Sequence, residues 1–109
     1  MHTNKTMKEL ATLAEFHEAI RSGIVIIDFT AKWCGPCKSV APKFEALSKE
    51  LTTVAFYKVD VDEANQIAEM SNVTAMPTFH IYRDGKRVGE VVGADINAVK
   101  NRLQQAMMP

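Results

Sequence analysis

Net charge of either sign is missing from this chain: thirteen Lys and Arg balance thirteen Asp and Glu. Without a dominant field the composition argues against a nucleic-acid or anionic-membrane binder, although patches can form within a neutral total. Long apolar runs are missing as well. The longest aliphatic stretch is Ile24–Ile27, whereas a bilayer span takes about 20 residues, so no membrane segment is expected. The opening MHTNKTMKELATLAEF holds no apolar core of about seven residues, and no secretory leader is read there. The sequons Asn4-Lys5-Thr6 and Asn72-Val73-Thr74 are accordingly taken as chance matches. Repeats, low-complexity tracts and linkers are absent too. The 109 residues are read as a single domain, 1–109, large enough to bury one core without staples.

Cysteine is scarce as well. There are two, Cys34 and Cys37, both inside Trp33-Cys34-Gly35-Pro36-Cys37-Lys38. With no leader, a reducing cytoplasmic setting is expected, where such a pair is more often catalytic or metal-binding than structural. Zinc fits poorly. A structural site takes four ligands, and the only imidazoles, His2, His17 and His80, are scattered with no metal spacing. Asp60-Val61-Asp62 opens like a calcium loop, but the central glycine is missing and Ser71 stands in place of the closing glutamate. No metal is expected.

What is present reads as alternating strands and helices. Thr12-Leu13-Ala14-Glu15 has capping-box form and opens a helix with Leu13, Phe16 and Ile20 on one face, ended by Gly23. Ile24–Phe29 is apolar on both faces, the mark of a central buried strand. A long helix follows from about Cys34 to Leu51, with Val40, Phe44, Leu47 and Leu51 at helical spacing and Pro42 kinking it. Val54–Val61 is a strand and Asn65–Met70 a short helix. Thr78–Arg83 and Lys86–Val92 form a hairpin over a tight Asp84-Gly85 turn. Asp95 caps a closing amphipathic helix carrying Ile96, Val99, Leu103 and Met107. This order predicts an α/β domain, a mixed sheet with helices on both faces.

That frame gives the cysteine pair a redox reading. The pair follows a buried strand and opens a helix, so Cys34 lies where unpaired N–H groups and the helix dipole favour an anion. The thiolate is the nucleophile. Cys37, three residues on, shares the same face of the first turn and can reach back, leaving one sulfur exposed and one screened. Pro36 suits a first turn, and Gly35 removes bulk beside the attacking sulfur. Asp28 shares a strand face with Ile24 and Ile26, and a buried carboxylate has a raised pKa. Lys58 interrupts an apolar strand. Trp33 reads as a partly exposed cover, and His80 as a packed or surface histidine. Asp60 and Asp62 face solvent or cap the next helix, with no chemistry assigned. Pro77 opens a strand, as prolines do, and base rates alone make its peptide trans.

WCGPCK preceded by Asp28-Phe29-Thr30-Ala31 resembles the thioredoxin family, and the likeness runs from about Met7 to Met107. Asp28, Pro42, Lys58, Met76-Pro77-Thr78 and Val92-Gly93 fall in the family's order. The resemblance implies a thioredoxin fold, a five-stranded mixed sheet flanked by four helices. It implies Cys34 as nucleophile, Cys37 as resolving thiol and Asp28 as its proton acceptor, with Lys58 pairing with or tuning Asp28. It also implies a cis Pro77 that frees the Met76 backbone for strand addition by substrate. Trp33, Gly35, Pro36, Met76, Val92 and Gly93 would surround the site as a flat apolar docking surface. By the same resemblance the chain is a monomeric general protein-disulfide reductase with no bound cofactor. Its substrates are disulfide-containing proteins, and its electrons come from NADPH through a separate thioredoxin reductase. Thr30 departs from many bacterial members, which carry a second tryptophan there, and no third cysteine offers a regulatory disulfide. Two other readings stay open at this point: an oxidase or isomerase on the same fold, and a scaffold whose redox chemistry is incidental.

Overall fold

The computed structural model describes residues 7–109; the Asn4-Lys5-Thr6 sequon and His2 lie outside the described residues. Chain order is α1 (Leu13–Ile20), β1 (Ile24–Thr30), α2 (Gly35–Glu50), β2 (Ala55–Asp60), α3 (Asn65–Met70), β3 (Thr78–Arg83), β4 (Lys86–Val92) and α4 (Ile96–Ala106). At the start of α1 the Thr12 hydroxyl accepts from the Glu15 N–H at 3.1 Å, and the Glu15 carboxylate accepts from the Thr12 and Ala11 N–H groups at 3.2 and 2.8 Å. These bonds satisfy backbone donors that a helix start leaves unpaired. We expect Thr12→Ala to lower unfolding stability by about 1 kcal/mol. Denaturant titration would show this as a lower midpoint at constant slope, and an unmoved midpoint would mean that the box contributes nothing.

The sheet has four strands in the order β2-β1-β3-β4, with β1 parallel to β2 and the other pairs antiparallel. Among the described residues the expected fifth strand is not formed. Its place at the β2 edge is held by one bridge, Glu9 opposite Lys58, with Leu10 N–H donating to the Lys58 carbonyl and Lys58 N–H to that of Lys8. The chain leaves this edge immediately after Leu10, because Ala11 and Thr12 are already committed to the capping box.

Central β1 is covered on both sides, which is why its sequence is apolar at every position except Asp28 and the terminal Thr30. Val25, Ile27 and Phe29 pack with Phe16, Ile20, Val59 and Ile67 under α1 and α3. Ile26 packs with Val40, Phe44, Phe79, Val99 and Leu103 under α2 and α4. Asp28, two residues beyond Ile26, therefore lies on the α2 face. The hairpin turn places both Asp84 and Gly85 at positive φ, 51° and 88°, the backbone that two-residue hairpins favour. Between Ile81 and Tyr82 the register slips: Ile81 faces Gly89 while Tyr82 faces Arg87, leaving Val88 as a bulge.

Candidate active site

Cys34 caps α2 rather than opening it, with extended backbone (φ −92°, ψ 111°). Its Sγ takes the place of a capping oxygen, accepting the Cys37 N–H at 3.2 Å. Any negative charge on this sulfur is met by a backbone donor and by the positive end of the helix. Cys34 and Cys37 are joined as a disulfide with Cα atoms 5.3 Å apart, an ordinary span for such a bond. The expectation of one exposed and one screened sulfur is corrected: Cys34 is 5% and Cys37 2% exposed. In the oxidised state each sulfur covers the other, and Ala31, Val61 and Met76 close around the pair. Gly35 and Pro36 remain exposed in the first turn of α2.

Asp28 is 1% exposed and its Oδ1 has no hydrogen-bond partner. Burial pushes its pKa up to about 7, against a smaller opposing pull from the Lys58 ammonium. Lys58 lies directly across the β1–β2 ladder from Asp28. Among the described residues, however, no ion pair joins them. Lys58 therefore acts through its field and not as a partner. A cleft of about 370 Å³ opens beside them, lined by Cys37, Lys38, Lys58 and Asp60 among others.

Trp33 is 65% exposed, and its indole N–H donates to the Asp62 carboxylate at 2.9 Å. Lys32 pairs with Glu63 at 3.1 Å. Asp60 is buried, and its carboxylate accepts the Asp62 and Glu63 N–H groups at 2.9 and 3.2 Å, shaping the turn that faces Trp33. Asp62, to which the sequence assigned nothing, is thus the residue that orients the tryptophan. The contact spans 29 positions, beyond any local pattern.

On the other side of the disulfide the Met76–Pro77 peptide is cis. Pro77 is buried, Met76 is half-buried against the cysteine pair, and Val92 is exposed at the end of β4 opposite Thr78. The Thr78 hydroxyl donates to the Ala75 carbonyl at 2.6 Å, and Gly93 N–H donates to the Pro77 carbonyl at 2.8 Å. Gly93 has φ 104°, a conformation that requires glycine. The fold therefore brings Met76 onto the disulfide and Gly93 onto Pro77, while Trp33 is drawn toward Asp62. Among the described residues no three His, Cys, Asp or Glu side chains gather as a metal site would need, and no helix is long and apolar enough to cross a membrane. Chemically, the arrangement is a reversible two-electron couple at a helix start, with a buried carboxylate on the sheet face behind it.

Comparison with known proteins gives the same answer. The family model described as thioredoxin matches residues 7–108. Thioredoxin 1 of Plasmodium falciparum is 43% identical over 100 residues, covering 91% of this chain and 96% of that protein. The structure of oxidised mitochondrial thioredoxin 3 from Saccharomyces cerevisiae superposes with a TM-score of 0.88 at 39% identity, covering 91% of this chain and 94% of that one. A chain from the structural study of the thiol-resolving mechanism in yeast mitochondrial 1-Cys peroxiredoxin via glutathione/thioredoxin systems gives 0.89 at 38% identity, covering 92% and 95%. With the Cys34–Cys37 couple at the head of α2, this chain belongs to the thioredoxin family and is a dithiol–disulfide oxidoreductase.

Proposed function

We propose that the chain works in the reducing direction, as a general protein-disulfide reductase carried by one domain acting as a monomer. The observation behind this reading is the Cys34–Cys37 disulfide at the start of α2, with Asp28 buried on the sheet face beneath that helix. Cys34 thiolate attacks one sulfur of a target disulfide, forming a mixed disulfide and expelling the other sulfur as a thiolate. Cys37 then gives its proton to Asp28 and attacks the Cys34 sulfur. This closes the intramolecular disulfide and releases the second target sulfur, so two electrons pass to the target. A carboxylate with a pKa of about 7 is suited to accept that proton near neutral pH. Met76, Val92 and Gly93 take the substrate segment, in the manner of an added strand. Trp33, Gly35, Pro36, Lys58 and the cis Pro77 support the site.

No bound cofactor takes part. The dithiol is restored by a separate thioredoxin reductase drawing on NADPH, and the disulfide-containing targets include thiol peroxidases of the kind with which a structural neighbour was studied. The cytoplasm, where thiols are kept reduced, suits a carrier that must start each cycle as a dithiol. The test combines purified protein, a thioredoxin reductase, NADPH and a disulfide-bonded protein such as insulin. We expect NADPH consumption that depends on all components. Equilibration with a graded glutathione buffer fixes the direction: a disulfide that persists in strongly reducing buffer marks a reductant, and a readily reduced one would overturn the assignment in favour of an oxidase or isomerase.

A further inference from the structure

His80 is 0% exposed, sits edge-on to Phe29, and takes no part in the chemistry above. Its Nε2 lies 2.9 Å from the Glu90 carboxylate, and its Nδ1 lies 3.1 Å from Arg87 Nη1. The same Arg87 nitrogen also lies 3.4 Å from Nε2, and because a guanidinium only donates, it meets the imidazole as a donor whichever ring nitrogen is free to accept. The same Arg87 nitrogen donates to the Ser71 carbonyl at 3.2 Å. Ser71 is the C-cap of α3, and Asn72 follows at φ 58°. From there the chain runs directly to Met76 and Pro77. The bulge at Val88 makes this possible: with regular pairing Val88 would face Tyr82, but the slip places Arg87 there, on the face that carries His80.

We propose that Arg87, held by the buried His80 and through it by Glu90, is a positioning residue that braces the start of the 71–76 loop and so sets the Met76 backbone for substrate docking. The Thr78 hydroxyl on the Ala75 carbonyl fixes the far end of the same loop, leaving three residues, 72–74, between the two anchored carbonyls. This inference rests on the reading of Met76 as a docking residue. Arg87 is itself exposed on β4, so its removal opens no cavity among the apolar core side chains.

The test compares wild type with Arg87→Met, which keeps an apolar stem and removes the donors. Expected is a rise in KM for a disulfide-bonded protein of roughly three- to tenfold with kcat unchanged. The rate with a small disulfide such as oxidised glutathione, which has no strand to dock, should not move. Amide exchange at residues 72–76 should accelerate in the variant. The KM difference should also persist at high salt, where charge steering is screened. Equal KM values, an equal loss with the small disulfide, or a difference that vanishes with salt would each overturn the brace. A wild-type protein that reduces no protein disulfide would overturn the reductase reading together with the docking role. An unchanged wild-type activity with an unchanged variant would overturn the brace alone.

Discussion

Cys37→Ser protein, reduced and mixed with a disulfide-bonded target, will be recovered covalently joined to that target. Cys34 is the N-cap of α2, and its sulfur accepts a backbone bond that serine at position 37 still donates, since the donor is the main-chain N–H. The attacking thiolate is therefore preserved while the resolving thiol is gone. In the wild type resolution is intramolecular, and well-placed intramolecular groups react at effective concentrations of about 10⁵ M or more. Without Cys37 the mixed disulfide must wait for an outside thiol at millimolar level, so its lifetime should lengthen by at least about a thousandfold. Cys34→Ser should form no adduct and show no turnover. Mass spectrometry of the quenched mixture reads both outcomes, and the linkage should dissolve in excess dithiothreitol. If Cys34→Ser traps the target and Cys37→Ser does not, the two roles are reversed.

The sequence carried the parts of this site that are local. A strand apolar on both faces, a cysteine pair at the next helix start and a carboxylate on the strand's α2 face are all consequences of side-chain period, and each lies where the period places it. Boundaries moved by a residue at element ends: Cys34 and Leu51 cap α2, Met107 caps α4, β1 runs on to Thr30, and β2 is Ala55–Asp60 where the sequence predicts Val54–Val61. The misses are mostly properties of the three-dimensional arrangement. The fifth strand was only a count implied by the resemblance, and among the described residues Glu9 makes a single bridge at the β2 edge. Whether Lys58 pairs with Asp28 or only faces it depended on side-chain reach across a ladder. Asp62 orienting Trp33 joins the segments that follow the C-terminal ends of the parallel neighbours β2 and β1, far apart in sequence. Arg87 was missed for another reason: one bulged residue decides which side of the sheet it meets, and the signal for that bulge, the interior strand glycine Gly89 beside Val88, was not used.

Asp28→Asn will make the protein more stable and less active, and the stability gain will depend on pH. In the unfolded chain this carboxyl ionises near 3.8, whereas in the folded protein burial holds it to about 7. Between those values the native state binds the proton that the unfolded state has released, so native stability falls as pH rises through that window. The deficit is complete above pH 7 and absent below about pH 4. At 1.36 kcal/mol per pH unit it amounts to about 4 kcal/mol. Asparagine has the shape of the neutral acid and cannot ionise, so it removes this penalty. At pH 8 the variant should gain up to about 4 kcal/mol, a Tm increase of roughly 15 °C for a domain of this size. At pH 4 the two proteins should unfold together. The same substitution takes away the group that receives the Cys37 proton, so resolution of the mixed disulfide should slow by about a hundredfold near neutral pH. In the wild type that step should accelerate as pH rises through about 7, and in the variant this dependence should be lost. A stability gain equal at pH 4 and pH 8 would show that the buried charge is not its origin. A stable variant that resolves at the wild-type rate would remove Asp28 from the proton path while leaving the two thiols in their roles.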